Sequence, residues 1–295
     1  MKIIAIDLDG TLLSDNLTIQ ERDVIALKKG QKQNHIVTIA TGRALFDAKH
    51  IMNKYNLNCP IIASNGAQIY VDNKKISEHF IGPDVTQAII QWLNKENIYF
   101  QVYLSDKIVV SNQGIHQLEK QLNDIVSQDP HFNKDVFCES IKAQIYQYGL
   151  EEVSGIINSI DFVIKFMIVS PSRSKLKQAK EYFSQMDGCV VASSGSFNLE
   201  IMSAGVNKGL ALHKLCEYYK KTVANAIVIG DNLNDMPMFK VAGIGIAMGN
   251  ADERLSEVAT FRTLSNNNCG VAYAFEHYIQ TSEKENDNLV RKAKS

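Results

Sequence analysis

The sequence predicts an α/β protein whose parallel-sheet core is interrupted by an inserted α+β domain. Three observations predict this fold. Apolar runs alternate with helical segments at both ends of the chain, the middle mixes helical segments with strands of alternating polarity, and polar clusters directly follow three apolar runs. The chain has 295 residues, which is long for one hydrophobic core. We therefore expect a core domain at 1–82 plus 194–280, an inserted domain at 83–193, and a polar C-terminal tail at 281–295.

Continuous apolar runs in the first third predict strands of a parallel sheet that is covered on both faces. These runs lie at 3–6, 36–40, 61–64 and 67–71. The segment that starts at Thr18 fits a capping box and predicts a helix toward Lys32, and a second helix is expected at 44–55. Asn65-Gly66 between the last two runs predicts a hairpin turn.

The middle of the chain mixes helices with alternating strands, which predicts an antiparallel sheet. The expected helices lie at 85–94 and 174–186, and the expected strands at 99–104, 108–111, 143–148 and 162–169. The α/β alternation then resumes. Strands are expected at 199–201, 226–229 and 244–248, and helices at 210–220 and 236–241.

The overall composition excludes several classes of function. The 31 basic and 32 acidic residues give a net charge of −1, so no global basic excess indicates nucleic acid or an anionic membrane. The five cysteines are odd in number and form no CxxC, which favours reduced thiols. Asp7 and Asp9 interrupt the N-terminal apolar run, so it is not read as a signal peptide. We expect a cytoplasmic protein without a membrane span.

Three polar clusters sit at the carboxyl ends of predicted strands, where open parallel sheets bind their ligands. The clusters are Asp7/Asp9, Thr41/Gly42/Arg43 and Asp231/Asn234/Asp235. A buried charge must be paired, hydrogen-bonded or metal-bound. Two carboxylates and a glycine turn after one strand therefore suggest phosphoryl chemistry on a divalent cation.

Four ordered motifs resemble those of the haloacid-dehalogenase (HAD) superfamily of aspartyl phosphatases. They are Asp7-Leu8-Asp9-Gly10-Thr11-Leu12, then Ala40-Thr41-Gly42-Arg43, then Asn207-Lys208-Gly209, and finally Gly230-Asp231-Asn232-Leu233-Asn234-Asp235. The chain is most similar to the Cof-type subgroup, which has a large α+β cap. The resemblance implies a Rossmann-like core with the cap inserted at 83–193.

The resemblance implies a Mg²⁺-dependent phosphatase that forms an aspartyl-phosphate. Asp7 would be the nucleophile, and Asp9 would be the general acid and later the general base. Mg²⁺ would be bound by the Asp7 carboxylate, the Asp9 backbone carbonyl and Asp231. Whether Asp9 shares a strand face with Asp7 or is redirected by a turn is open at this point.

Further residues would contact the phosphoryl oxygens or support the site. Phosphate contacts are expected from Leu8 (backbone), Thr41, Gly42, Lys208 and Asn234. Asn232 and Asp235 would orient metal-bound water or Lys208. For Arg43, a salt bridge at a helix start and a contact with the phosphate or the substrate are both open. For Lys165, both the solvent face of a strand and a place in the cleft are open.

The expected substrates are small phosphorylated metabolites, with sugar phosphates first and FMN or pyridoxal phosphate behind. Alternatives are a phosphosugar mutase and a catalytically weak regulator that binds phosphometabolites. The sequence leaves the physiological substrate and the choice between monomer and dimer undecided.

Overall fold

The structure is a computed structural model that describes residues 1–145, 148–193 and 195–279. These residues form fourteen strands and ten α-helices. The strands are β1 (Ile3–Ile6), β2 (Ile36–Ala40), β3 (Ile61–Ala63), β4 (Gln68–Val71), β5 (Lys74–Glu78), β6 (Tyr99–Tyr103), β7 (Ile108–Ser111), β8 (Leu150–Val153), β9 (Lys165–Val169), β10 (Cys189–Ala192), β11 (Asn198–Ser203), β12 (Ile227–Gly230), β13 (Ile244–Ala247) and β14 (Phe261–Arg262). The helices are α1 (Glu21–Lys32), α2 (Leu45–Lys54), α3 (Pro83–Lys95), α4 (Asn112–Gln128), α5 (Lys134–Ile145), α6 (Arg173–Phe183), α7 (Lys208–Tyr218), α8 (Met236–Val241), α9 (Glu253–Val258) and α10 (Gly270–Ala274).

The described chain divides into two compact units. The first comprises Met1–Arg43, Ala48–Ser77 and the chain from Asn207 onward, and the second comprises Ala44–Asp47 and Glu78–Val206. The second unit extends past the boundaries at 83 and 193 that the sequence suggested. The expected tail at 281–295 lies outside the described residues.

The first unit is built on an eight-stranded sheet in the order β14-β13-β12-β1-β2-β3-β4-β5. Neighbouring strands from β14 to β3 run parallel, and β3 pairs with β4 in antiparallel register. All four residues of β1 are buried, as expected for a central strand whose two faces are both covered. The α/β class with a parallel sheet is confirmed.

The second unit has a six-stranded sheet in the order β10-β11-β9-β6-β7-β8. Its pairs are antiparallel except for β7 with β8. The expected strand at 199–201 is part of β11 and therefore belongs to this sheet, not to the resumed α/β core. Phe100, Phe166 and Ile201 contribute to a separate apolar core in this unit.

Some local predictions were wrong in detail. Helix α1 begins at Glu21, so its N-cap position is Gln20 and not Thr18, and the Gln20 side chain makes no capping hydrogen bond. The Thr18 hydroxyl instead pairs with that of Ser14 at 3.0 Å. The expected strand at 143–148 begins inside helix α5, and residues 146–147 lie outside the described residues. The hairpin between β3 and β4 is confirmed, but its connection spans four residues rather than two.

Lys165 is buried in the second unit and not on a solvent face. Its ammonium group donates a 2.8 Å hydrogen bond to Glu200, and both side chains are almost fully buried. The same ammonium lies 4.3 Å from the centre of the Tyr103 ring, which adds a cation–π contact. The charge that interrupts the apolar strand is therefore paired inside the unit. The alternative that placed Lys165 on the solvent face of a strand was wrong.

Asp23 on helix α1 provides a test of stability that is independent of the site. It is almost fully buried and accepts a 2.7 Å hydrogen bond from the N–H of Ala272. Burial raises the pKa of Asp23 to about 6, although that hydrogen bond opposes the shift. Because the folded protein favours protonated Asp23, this residue contributes most to the free energy of unfolding below its unfolded pKa of about 4. That contribution is lost as the pH rises through about 6.

Replacing Asp23 with asparagine is expected to stabilise the protein at pH 7.5 by about 1–3 kcal/mol, because asparagine accepts the same hydrogen bond without a charge. The gain should shrink as the pH falls through 6 and vanish near pH 4. Chemical denaturation of both proteins across this range measures it. A gain that grew toward low pH would contradict the assignment.

Among the described residues, no α-helix combines the length and apolar character that a membrane span needs.

Candidate active site

The first carboxylate of the site lies directly after β1. Asp7 is buried, and its N–H still donates to β12 at 2.9 Å. The chain then turns at Gly10, which has a φ of +78°. A Cβ at Gly10 would lie 2.4 Å from an Asp231 carboxylate oxygen, so only glycine permits this close approach. Asp9 lies on this turn and not on strand β1. Of the two alternatives left open by the sequence, the turn therefore determines the direction of the Asp9 side chain.

Lys208 bridges two buried carboxylates. It is the first residue of helix α7, and its Nζ donates to Asp7 Oδ1 and Asp235 Oδ1 at 2.6 Å each. Asn207 caps the helix by accepting the N–H of Leu210 at 2.9 Å, which fixes where Lys208 leaves the backbone. Burial alone would lower the pKa of Lys208, but the carboxylates of Asp235 and Asp7 raise it well above its ordinary value.

The loop after β12 is held by its own side chains. Asp235 Oδ2 accepts the N–H groups of Asp231 at 3.0 Å and Asn232 at 3.2 Å. Asn232 in turn caps the short turn that follows by accepting the N–H of Leu233 at 2.7 Å. Thr11 donates its hydroxyl to Asp231 Oδ1 at 2.8 Å. Asp231 is therefore oriented from both the first and the last motif.

The three carboxylates around Lys208 carry more negative charge than its single ammonium group offsets. Oxygen atoms of Asp7, Asp231 and Asp235 lie within 4.8 Å of one another. Burial raises the pKa of Asp231 to about 7, and repulsion from Asp235 adds to the shift. Burial and Asp235 also raise the pKa of Asp7, against the attraction of Lys208. The donor set fits a hard divalent cation, which prefers carboxylate oxygens and would supply the missing positive charge.

Asp9 is in a different environment from Asp7. The guanidinium of Arg43 holds its carboxylate in a fork, with Nε at 2.9 Å from Oδ2 and Nη2 at 2.8 Å from Oδ1. The Arg43 side chain is 8% exposed and that of Asp9 is 38% exposed. Arg43 therefore forms a salt bridge, as one alternative proposed, but its partner is the second carboxylate of the first motif. Two parallel hydrogen bonds fix the orientation of the carboxylate more strictly than a single one.

Thr41 is buried at the end of β2, and its Oγ1 accepts the N–H of Arg43 at 3.1 Å. Asn65 donates its N–H to the Thr41 carbonyl at 2.9 Å. The side chain of Asn65 also accepts a 3.3 Å hydrogen bond from Asn234 Nδ2. Asn65, in the predicted hairpin turn, thus connects the second and fourth motifs.

The structure brings most of the sequence-predicted residues into direct contact. Asp7, Lys208, Asp235, Asp231 and Thr11 form one hydrogen-bonded chain, and Asp9 with Arg43 forms a separate pair. Leu8 and Gly42 directly follow Asp7 and Thr41. From the sequence, Thr11 was predicted only as part of the first motif, and Asn65 only as part of a hairpin turn that related proteins bring near the active site. The sequence gives no local pattern for a contact between distant segments. The contacts that Thr11 and Asn65 make with Asp231 and Asn234 could therefore not be predicted from it.

The fold and site define an α/β enzyme that carries a carboxylate–lysine centre at the carboxyl edge of a parallel sheet. A family model described as haloacid dehalogenase-like hydrolase matches residues 4–275. The chain therefore belongs to this family, and it is a phosphoric monoester hydrolase of the haloacid dehalogenase-like type.

Similar proteins match over nearly the whole chain. The chain is 37% identical to 5-amino-6-(5-phospho-D-ribitylamino)uracil phosphatase YwtE of Bacillus subtilis, covering 95% of this chain and 98% of the relative. It is 30% identical to phosphatase YwpJ of the same organism, covering 95% and 100%. Among solved structures, a haloacid dehalogenase-like hydrolase from B. subtilis has a TM-score of 0.80 at 30% identity, covering 94% of this chain and 99% of that one.

Proposed function

We propose that the protein is a Mg²⁺-dependent phosphatase that hydrolyses small phosphorylated metabolites through an aspartyl-phosphate. The observation that carries the proposal is the buried Asp7–Lys208–Asp235 bridge beside Asp231 at the carboxyl edge of the sheet. A buried carboxylate next to a cation can attack an electrophile, and the residues around it supply donors and negative charge suited to a phosphoryl group and a metal.

Mg²⁺ would be held by the carboxylates of Asp7 and Asp231 and by the backbone carbonyl of Asp9. Asp235 is a poorer ligand, because its two oxygens already accept hydrogen bonds from Lys208 and from backbone N–H groups. When bound, the ion would neutralise negative charge and orient the phosphoryl group. Asn232 and Asp235 would keep Asp231 and Lys208 in place.

Asp7 would be the nucleophile that attacks phosphorus. Lys208 donates to Oδ1 of Asp7, which fixes the carboxylate and leaves its other oxygen to form the bond. The oxygen–phosphorus bond of the substrate breaks as the new bond forms, and the leaving alkoxide takes a proton. Water then attacks phosphorus and releases Asp7 and phosphate.

Asp9 would donate the proton to the leaving group and later accept one from water. Its fork with Arg43 fixes the direction of the carboxylate that would carry out both steps. As the acid, Asp9 has to carry a proton, so the pair must loosen before the leaving group departs.

The phosphoryl oxygens would be bound by Thr41, Gly42, Lys208, Asn234 and the backbone of Leu8. A positive ammonium and several N–H or O–H donors around one point stabilise the charge that develops on a transferring phosphoryl group. These groups recognise only the phosphate. We propose that the second unit, which interrupts the first in sequence and has its own core, is the cap domain that selects the leaving group.

Phosphorylated sugars and sugar alcohols are the proposed substrate class. The relative from B. subtilis at 37% identity carries a phosphorylated ribityl chain in the name of its substrate. FMN shares that phosphorylated chain, and pyridoxal phosphate is a further small candidate.

A phosphate-release screen tests the proposal. It should cover sugar phosphates, phosphoribityl compounds, FMN, pyridoxal phosphate and nucleotides, each after chelation and again after adding Mg²⁺. We expect phosphate release with Mg²⁺ and its loss on chelation. Isomer formation without free phosphate would favour the mutase, and binding without turnover would favour the regulator.

Replacing Asp9 with asparagine is expected to slow phosphoenzyme formation from an alkyl phosphate by about 10²–10⁴-fold, because the alkoxide then leaves without a proton. Formation from p-nitrophenyl phosphate should fall far less, because nitrophenolate needs no acid. Single-turnover measurements with both substrates separate the two. An equal loss with both leaving groups would remove Asp9 from the acid role.

A further inference from the structure

The turn after β3 holds two neighbouring residues in an unfavourable backbone conformation. Ser64 has a φ of 49° and Asn65 a φ of 54°, so both lie in the left-handed region although neither is glycine. Both side chains are buried, with exposures of 0% and 3%. Residues persist in this conformation where the surrounding structure demands it, and such residues cluster at functional sites.

The backbone of this turn connects two segments that carry site residues. Ser64 donates its N–H to the carbonyl of Arg43 at 2.8 Å, and Asn65 donates to the carbonyl of Thr41 at 2.9 Å. On the other side, a Cβ at Gly66 would lie 2.5 Å from the carbonyl oxygen of Asn207. The turn therefore packs tightly between the Thr41 loop and the residue that precedes Lys208.

The side chain of Asn65 reaches a third segment. Its Oδ1 accepts one hydrogen of Asn234 Nδ2 at 3.3 Å. The carboxamide of Asn234 has two such hydrogens, so this bond restricts the orientation of the group and leaves the second hydrogen pointing away from Asn65. Among the described residues, the buried Oδ1 of Asn234 has no hydrogen-bond partner. The bond from Asn65 is thus a main constraint on how the carboxamide is oriented.

We propose that Asn65 is a positioning residue for phosphoryl transfer. Its side chain orients Asn234 so that the second Nδ2 hydrogen can meet a phosphoryl oxygen, and its strained turn keeps the loops of Thr41 and Lys208 in register. The proposal rests on the proposed function, because the phosphate contact of Asn234 belongs to that function.

The test is a double-mutant cycle between Asn65 and Asn234. Asn65→Gly removes the side chain but accepts the left-handed backbone without strain, so the turn should keep its conformation. We expect kcat/KM for p-nitrophenyl phosphate to fall by about 10–100-fold in the wild-type background. In the Asn234→Ala background, the same change should cost less than about 3-fold, because the group that Asn65 orients is gone.

The matched control is Asn34→Gly. Asn34 also has a left-handed backbone, with a φ of 61°, but it is exposed after helix α1. It should leave kcat/KM unchanged. Asn65→Ala adds backbone strain to the loss of the side chain, so it should unfold at a lower temperature than Asn65→Gly.

Each outcome of the cycle decides the proposal. Unchanged kcat/KM in Asn65→Gly would overturn it while leaving the proposed function intact. An equal loss in both backgrounds would also overturn it, since Asn65 would then act independently of Asn234. A wild-type protein that releases no phosphate from any substrate of the screen would overturn the proposed function, and the positioning role with it.

Discussion

Replacing Asp7 with asparagine is expected to lower phosphate release by about 10⁴-fold or more, with the fold retained. The carboxamide cannot form the bond to phosphorus that the mechanism requires, and removal of a catalytic nucleophile generally has an effect of this size. The variant keeps the shape of a buried side chain whose pKa burial already raises, so a large loss of stability is not expected. Steady-state phosphate release, with thermal unfolding beside it, measures both quantities.

Asp23→Asn is the matched control for this variant. It makes the same chemical change at another buried aspartate of the first unit, and it should retain full turnover. Acid-quenched protein should carry covalent phosphate in the wild type and none in Asp7→Asn. If Asp7→Asn released phosphate at the wild-type rate from any substrate, the aspartyl-phosphate mechanism would be wrong.

The parts of the fold that were predicted well have a strong local signal. A buried parallel strand such as β1 requires an unbroken apolar run, and a site at its carboxyl end requires polar residues just after it. Both requirements are readable in consecutive residues. The order of the strands and the contact between Asp7 and Lys208 have no such local signal, because 201 positions separate the two residues.

The errors arose where tertiary contacts decide between local alternatives. The strand at 199–201 has the apolar character of either sheet, and its pairing with β9 and β10 assigns it to the second unit. Lys165 could not be placed from its sequence neighbours, because its partner Glu200 lies on another strand. Asn65 looked like an ordinary turn residue for the same reason: its contact with Asn234 spans 169 positions.

Replacing Lys208 with methionine is expected to remove both activity and stability. The wild-type ammonium is fully buried between Asp7 and Asp235 at 2.6 Å from each. Methionine keeps much of the volume but leaves two buried carboxylates without their cation, which costs about 3–5 kcal/mol for a broken buried pair. We expect kcat/KM to fall by about 10³-fold, since the charge on the phosphoryl oxygens also loses its partner. Chemical denaturation and phosphate release measure the two effects, and the exposed Lys221→Met is the control.

The double variant Lys208→Met/Asp235→Asn separates the two effects. Neutralising Asp235 relieves the repulsion that removal of the ammonium creates, and asparagine Oδ1 can still accept one of the backbone N–H groups of the loop. We expect this variant to recover about 1–2 kcal/mol of the lost stability and none of the lost activity. Recovery of turnover together with stability would mean that Lys208 acts on the reaction only by keeping the site folded. We expect turnover to stay lost, because the Lys208 ammonium does more than balance the buried charge. It also donates a 2.6 Å hydrogen bond to Asp7, the proposed nucleophile.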